Sequence, residues 1–341
     1  MTAPLPTPTF DPLPPELPLI LGALASAGSL TRAAQHALVE GHIATKHDGS
    51  IVTIADYAAQ ALTNRLMSRA GVHIPAVVGE ESAAVLGADP GLLDDVVSLL
   101  RANGWPDARP GAVLEAIDLG AAPGGANPPV YYTIDPIDGT KGFAAGRQFA
   151  VCLARIDHGR CTLAALACPN LSASSSDPID TPATTGTLFA ATDASPVLTA
   201  PINDPSALAP LPVRPPGDVV NPVITFSVEP SEARLKNFDA LAELLGGARR
   251  TPADSQAKYA MVARGQADAY FRPPRGAREK VWDHAAGCLL LERAGCMVTD
   301  LQGGPIRWDT PSLPPRSGIL GAPPALHRRI LDAVLRFKPL A

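Results

Sequence analysis

The chain has 341 residues, 46 % hydrophobic and 18 % charged, which allows one large or two packed units with an ordinary core and excludes a disordered chain. Its formal net charge of −5 argues against a binder of nucleic-acid polymers, which are gripped through a Lys/Arg excess. A small anionic substrate remains open, because metal ions can supply positive charge locally.

Pro residues, 37 in all, cluster at 4–18, 169–182 and 201–222. These read as an extended tail over residues 1–15 and two stiff connectors. The five cysteines show no Cys-x-x-Cys spacing and no His partners, which argues against zinc and predicts reduced, partly buried thiols in a cytoplasmic protein. No Lys or Arg precedes Arg32, so a secretory signal would lack its charged segment, and the apolar run from Leu17 to Ala27 is too short to span a bilayer.

From Leu17 to Leu38 the apolar spacing suits one or two helices, with Thr31 as N-cap of the second. A strand is expected over Ser50 to Ile54, then a helix opened by Asp56, with Ala59, Leu62, Leu66 and Ala70 on one face. Ala76 to Val78 reads as a short strand that delivers Glu80 and Glu81 into a loop. The stretch 83–128 is read as one helix around Gly91 to Arg101 followed by a Gly/Pro-rich surface loop. Strands follow at 130–134, 149–156 and 161–167. The second half mixes strands at 187–192, 223–228, 268–272 and 296–300 with helices at 231–245, 255–264 and 284–293. Without regular βαβ alternation, this pattern favours layered sheets with helices between and outside them.

The segment Asp135-Pro136-Ile137-Asp138-Gly139-Thr140 carries the sharpest chemistry. Its carboxylates end an apolar strand and can turn, with the Ile137 carbonyl, toward one point, as hard cations require. An Asp-Pro turn followed by an Asp-Gly turn would explain the same letters. Asp56 alone reads equally as an N-cap, Glu80-Glu81 as a solvated loop, and Asp283 as another N-cap. Together they place acidic groups repeatedly at strand ends and helix starts, and adjacent buried carboxylates need a cation between them.

The segments Val52 to Asp56, Val78 to Ser82, Asp135 to Thr140 and Trp282-Asp283-His284-Ala285-Ala286-Gly287 resemble, in order, the motifs of the inositol monophosphatase-like metal-dependent phosphatases. The resemblance implies a layered αβαβα sandwich of the α/β (α+β) class, with an N-terminal α+β half over 16–168 and a C-terminal α/β half over 169–341. It implies that Glu80, Asp135, Asp138, Asp283 and Asp56, with the Ile137 carbonyl, hold two or three Mg²⁺ ions. Thr140 with Asp56 or Glu80 would position and deprotonate the attacking water, and Gly139, Thr140 and Asp283 would meet the substrate.

Asp254-Ser255-Gln256-Ala257-Lys258-Tyr259 further resembles the 3′(2′),5′-bisphosphate nucleotidase branch, in which the Ser and the Lys contact the substrate. Lys258 reads either as a second-phosphate cation or as a snorkelling surface lysine, and Arg272 as a second such cation or a strand-end charge. Glu232 stands where that branch carries a nucleotide-contacting His. The expected activity is hydrolysis of adenosine 3′,5′-bisphosphate to AMP and phosphate, with Li⁺ inhibition implied by the resemblance. The alternatives are an inositol or sugar phosphate phosphatase, and a non-catalytic sensor of a phosphorylated ligand. A small phosphorylated metabolite is the expected partner; no polymer and no membrane is expected, and a homo-oligomer stays open.

Overall fold

The computed structural model describes residues 13–39, 54–71, 73–125, 128–179, 182–212, 219–274, 279–314 and 318–336. Helices α1 (Leu17–Val39) and α2 (Ile54–Arg69) precede β1 (Val77–Gly79), α3 (Ala83–Gly87), α4 (Pro90–Ala102) and α5 (Pro110–Asp118). Then come β2 (Val130–Asp138), α6 (Thr140–Ala144), β3 (Ala150–Asp157), β4 (Arg160–Cys168), β5 (Thr187–Thr192), β6 (Leu198–Pro201) and β7 (Ala209–Pro210). The rest of the chain forms β8 (Val223–Phe226), α7 (Glu232–Leu244), β9 (Arg249–Pro252), α8 (Ala257–Ala263), β10 (Ala269–Arg272) and a 3₁₀ turn (Val281–Asp283). It ends with α9 (Ala285–Arg293), β11 (Met297–Thr299), β12 (Ile319–Ala322) and α10 (Pro324–Arg336).

Strands β1 to β7 form one sheet in sequence order, and β11-β12-β10-β8-β9 form a second. The first sheet is covered on both faces, so its central strands carry apolar residues on both faces rather than at alternate positions only. In β3, Val151 and Leu153 enter the cluster built with α1, while Cys152, Ala154 and Ile156 enter the cluster built with α8 and α9. Strands β4 and β5 divide in the same way, Leu163 and Ala165 to one side and Ala164 and Leu166 to the other. Beyond α8 and α9 lies the second sheet, whose far face packs Ile224, Phe271 and Leu320 against Leu241 of α7 and Leu326 and Ile330 of α10. The layers are therefore α1/α2, sheet, α8/α9, sheet, α7/α10, the αβαβα order expected.

Several details differ from the sequence reading. Leu17–Val39 is one helix, and Thr31 caps nothing; its hydroxyl donates back to the Ala27 carbonyl at 2.9 Å in mid-helix. The stretch Leu17–Leu38 is long and apolar enough to cross a membrane by length and composition, yet 61 % of it is buried inside the protein, as a core helix is. Of the strand expected over 50–54, residues 50–53 lie outside the described residues and Ile54 begins α2. Residues 83–128 hold three helices rather than one helix and a loop. Pro110 and Gly111 fall within the expected surface loop, but Pro at the first helical position starts α5, since its missing N–H would be unpaired there in any case. Residues 1–12 of the tail lie outside the described residues; Leu13 is half-buried against the α1 cluster.

Candidate active site

The site begins with one irregularity in β2. Its ladder pairs Asp135 with Cys152 and Asp138 with Ala150, three steps facing two. On a regular strand residues three apart point to opposite faces, and the bulge cancels that alternation. Asp135 and Asp138 thus share the face toward α8 and α9, while Ile137 drops into a separate apolar cluster with Phe143 and Phe149. Pro136 sits in the bulge, where no ladder N–H is needed. At Gly139 the chain reverses with φ +89°, and a Cβ there would stand 2.7 Å from Ser255 Cβ, so only glycine fits.

Other elements bring further carboxylates to this point. Strand β1 runs parallel to β2 with Gly79 opposite Ile134, so Glu80 leaves the sheet beside Asp135. The buried Gln60 side chain holds that exit, donating to the Glu81 carbonyl at 2.9 Å and accepting from the Glu81 N–H at 3.0 Å. Asp56, buried in the first turn of α2, faces the same cavity. Asp283 arrives on the 3₁₀ turn, its Oδ2 accepting from the Lys280 N–H at 2.7 Å. Asp135, Asp138 and Asp283 each present an oxygen within 4.8 Å of the other two.

Such crowding is unfavourable for bare carboxylates. Burial first, then repulsion from Glu80, Asp138 and Asp283, holds the Asp135 carboxyl well above its ordinary range. Glu80 opens onto the cleft, yet lost hydration and the neighbouring Glu81 and Asp283 push it up to about 8. Glu81 rises to about 7 through lost hydration, opposed by a hydrogen bond from Tyr57. Asp138 is raised by burial, against the pull of Lys258 and Arg272. Asp135 Oδ1 is buried with no hydrogen-bond partner. An orphaned buried oxygen inside an all-oxygen donor set fits a hard divalent cation, so the residues present suit the metal that the sequence implied.

The opposite wall is cationic. Lys258, on α8, is buried and donates to the Ala253 carbonyl at 3.2 Å; it is not a snorkelling surface lysine. Arg272, at the end of β10, faces the cavity and donates to Glu279 at 2.5 Å, and the other Glu279 oxygen lies 3.1 Å from His284 Nε2. Both walls enclose a cavity of about 840 Å³. Ser255, buried at its edge, adopts φ +65°, a strained conformation for a non-glycine residue. Through that turn the Gln256 N–H reaches Asp138 Oδ2. The Gln256 side chain also bonds the Trp282 carbonyl at 2.8 Å and the Gly287 N–H at 3.1 Å, tying Asp138 to the segment that carries Asp283.

Of the candidate residues named from sequence, Asp56, Glu80, Asp138, Gly139, Thr140, Ser255, Lys258, Arg272 and Asp283 line this cavity, and Asp135 lies buried beside Asp138 and Asp283. The Ile137 carbonyl accepts a long bond from Thr140 Oγ1, 3.4 Å. Glu232 does not face the cavity; it is exposed and pairs with Lys236 at 2.9 Å, so its carboxylate does not oppose an anionic ligand there. The wall there is made by Ser231 and Arg234 instead. Gln60, Gln256, Arg147 and Arg234 were missed as site residues. Gln256 stood inside a recognised motif and Gln60 on the helix that Asp56 was expected to open, and both could have been flagged as buried amides that must bond something; the arginines carried no local signal.

Residues 20–337 match the inositol monophosphatase family. The chain is similar to the Emericella nidulans protein named 3′(2′),5′-bisphosphate nucleotidase, 34 % identical over 85 % of this chain and 89 % of that one. It is similar to 3′(2′),5′-bisphosphate nucleotidase 1 of Candida albicans, 32 % identical over 97 % of each chain. Among solved structures, the extragenic suppressor protein SuhB of Bartonella henselae superposes with a TM-score of 0.60 at 19 % identity, covering 93 % of this chain and 97 % of that one. Inositol monophosphatase from Anabaena does so with a TM-score of 0.55 at 20 % identity, covering 94 % of each; these two likenesses speak for the fold alone. The layered architecture, the acidic cluster at the β2 bulge and a sequence match over nearly the whole chain lead to one assignment: the chain belongs to the inositol monophosphatase family.

Proposed function

We propose that this protein is a Mg²⁺-dependent phosphomonoesterase that removes the 3′-phosphate of adenosine 3′,5′-bisphosphate, yielding AMP and inorganic phosphate. The observation that carries the reading is the pairing of an acidic cluster with a cationic wall in one cavity, Asp135, Asp138 and Asp283 against Lys258 and Arg272. A substrate with one phosphate would need only the first wall. A bisphosphate uses both. The names borne by relatives at 32–34 % identity support the same choice.

Asp135, Asp138, Asp283 and Glu80, with Asp56 and the Ile137 carbonyl, are the groups that would hold two or three ions. Bound there, Mg²⁺ acidifies water and neutralises phosphoryl oxygens. The Thr140 hydroxyl, with the Asp56 or Glu80 carboxylate, orients the attacking water and receives its proton. The water oxygen bonds to phosphorus as the P–O3′ bond breaks, and the ribose oxygen leaves with a proton. Gly139, Thr140 and Ser255 border the place where the phosphate and sugar would lie.

The test is phosphate release from adenosine 3′,5′-bisphosphate and from inositol 1-phosphate, side by side, with Mg²⁺ and with EDTA. Preference for the nucleotide and its loss in EDTA are expected. Preference for the inositol ester would keep the reaction and replace the substrate. Inhibition by millimolar Li⁺ is expected in the same assay, and an unaffected rate would remove that part of the reading.

A further inference from the structure

The guanidinium groups lining the cavity differ in what they already hold. Arg147 donates to Asp254 at 2.8 Å and to Glu229 at 2.9 Å. Arg272 is committed in part to Glu279. Arg234, half-buried on the first turn of α7, also faces the cavity, yet its side chain has no hydrogen-bond or ion-pair partner among the described residues. Its backbone is held at the start of α7, where Ser231 accepts from the Arg234 N–H at 3.4 Å. Burial and the neighbouring Arg272 both press its pKa below the ordinary value, Glu279 and Tyr270 acting the other way. A guanidinium set beside a second one in a partly desolvated wall is unfavourable until an anion joins them.

Arg272 relates this group to the chemistry. It lies close enough to Asp138 to lower that carboxyl and close enough to Arg234 to lower that guanidinium. All three side chains line the same cavity.

We infer that Arg234 is a specificity-determining residue that, with Arg272, receives the phosphate of the substrate that is not cleaved, the 5′-phosphate of a nucleoside 3′,5′-bisphosphate. This inference rests on the function proposed above. It also assigns a role to the stretch where sequence comparison had placed Glu232.

The experiment compares kcat/KM for adenosine 3′,5′-bisphosphate and for adenosine 3′-monophosphate in the wild type, Arg234→Ala and Arg234→Lys, with Mg²⁺. A charge-assisted bond to phosphate is worth about 1.5–3 kcal/mol, so the bisphosphate-to-monophosphate ratio should fall by roughly 10- to 150-fold in R234A. The loss should appear mainly in KM, and R234K should recover part of it, since a lysine keeps the charge without the planar fork. A ratio in R234A that falls less than tenfold, in protein of native circular dichroism, overturns the inference while the proposed function stands. A wild type that releases phosphate from neither nucleotide removes the function and the inference together.

Discussion

The two walls of the cleft follow opposite electrostatic designs. The wall built on β1, β2 and the 3₁₀ turn collects carboxylates that repel one another, with Asp135 Oδ1 buried and unpartnered. On the facing wall, Arg147 and Arg272 are largely satisfied in advance by Asp254, Glu229 and Glu279. The first wall is unfavourable as it stands and has the oxygen donors that a hard cation requires. The second is held in shape by its own ion pairs and is poised to read an anionic substrate. Stability and activity therefore compete at the first wall, whereas at the second they rest on different groups.

The sharpest way to break that contrast is Asp135→Asn. Activity should fall on the order of 10³-fold, the several kcal/mol that a lost metal ligand represents. The metal-free variant should nonetheless melt higher than metal-free wild type, by roughly 1–2 °C for each kcal/mol of repulsion relieved in a chain of this length. A lower melting temperature without metal would show that the carboxylate wall is not self-repelling. Mg²⁺ itself should stabilise the wild type by about 3 kcal/mol at a hundredfold excess over its Kd, and D135N much less, read by thermal melts with and without EDTA.

At the cationic wall, Lys258→Ala should lower kcat/KM on the bisphosphate by roughly 10- to 100-fold and on inositol 1-phosphate far less. Equal losses would make Lys258 a structural partner of Asp138 instead. Gln256→Ala, which removes the side-chain bonds to the Trp282 carbonyl and the Gly287 N–H beside Asp283, should cost roughly 10-fold in activity and weaken Mg²⁺ binding, since groups that orient metal ligands usually do both. Unaltered Mg²⁺ affinity would confine Gln256 to packing.

The smallest effect concerns pH, and its sign differs between the two sheets. The Asp135 carboxyl is raised in the folded state, so folded protein binds more protons than unfolded above about pH 4; without metal this term stabilises as pH falls. His327 behaves the other way. It is buried on α10, accepts or donates only with Thr299 at 2.9 Å, and burial lowers its pKa to about 4. The unfolded chain binds the proton first, so this term is lost as pH falls from about 6.5 toward 4. His327→Gln should flatten that part of the acid limb in a pH series of denaturant melts, and an unchanged limb would place the acid sensitivity elsewhere.

Much of this molecule was legible in one dimension. Strands β3, β4 and β5 of the first sheet were found because both faces are covered and their sequences are largely apolar, whereas β6 and β7 lie in or beside a Pro-rich stretch read as a connector. Other elements lacked such a signal. Strand β9 is Arg-Arg-Thr-Pro at a sheet edge, where neither alternation nor propensity marks it. Helix α5 was hidden by a Pro-Gly pair that usually announces a turn. Helix α10 was readable and went unread: Leu326, Ile330, Ala333 and Val334 recur at helical spacing.

By itself the sequence located the acidic groups that line the cavity, because carboxylates at strand ends and helix starts form ordered local motifs that survive without any knowledge of contacts. It also determined the layered class, because burial on both faces of a sheet is written into composition. Only the tertiary structure decided how those motifs meet. The bulge in β2 turns Asp135 and Asp138 to one face, and the layered packing carries Asp283 across more than half the cleft's sequence to within 4.8 Å of them. The same packing turns Glu232 out to Lys236 and Arg234 in toward Arg272. The physical reason is that residue type is local, while the direction of a side chain and its electrostatic neighbours depend on elements far away in the chain.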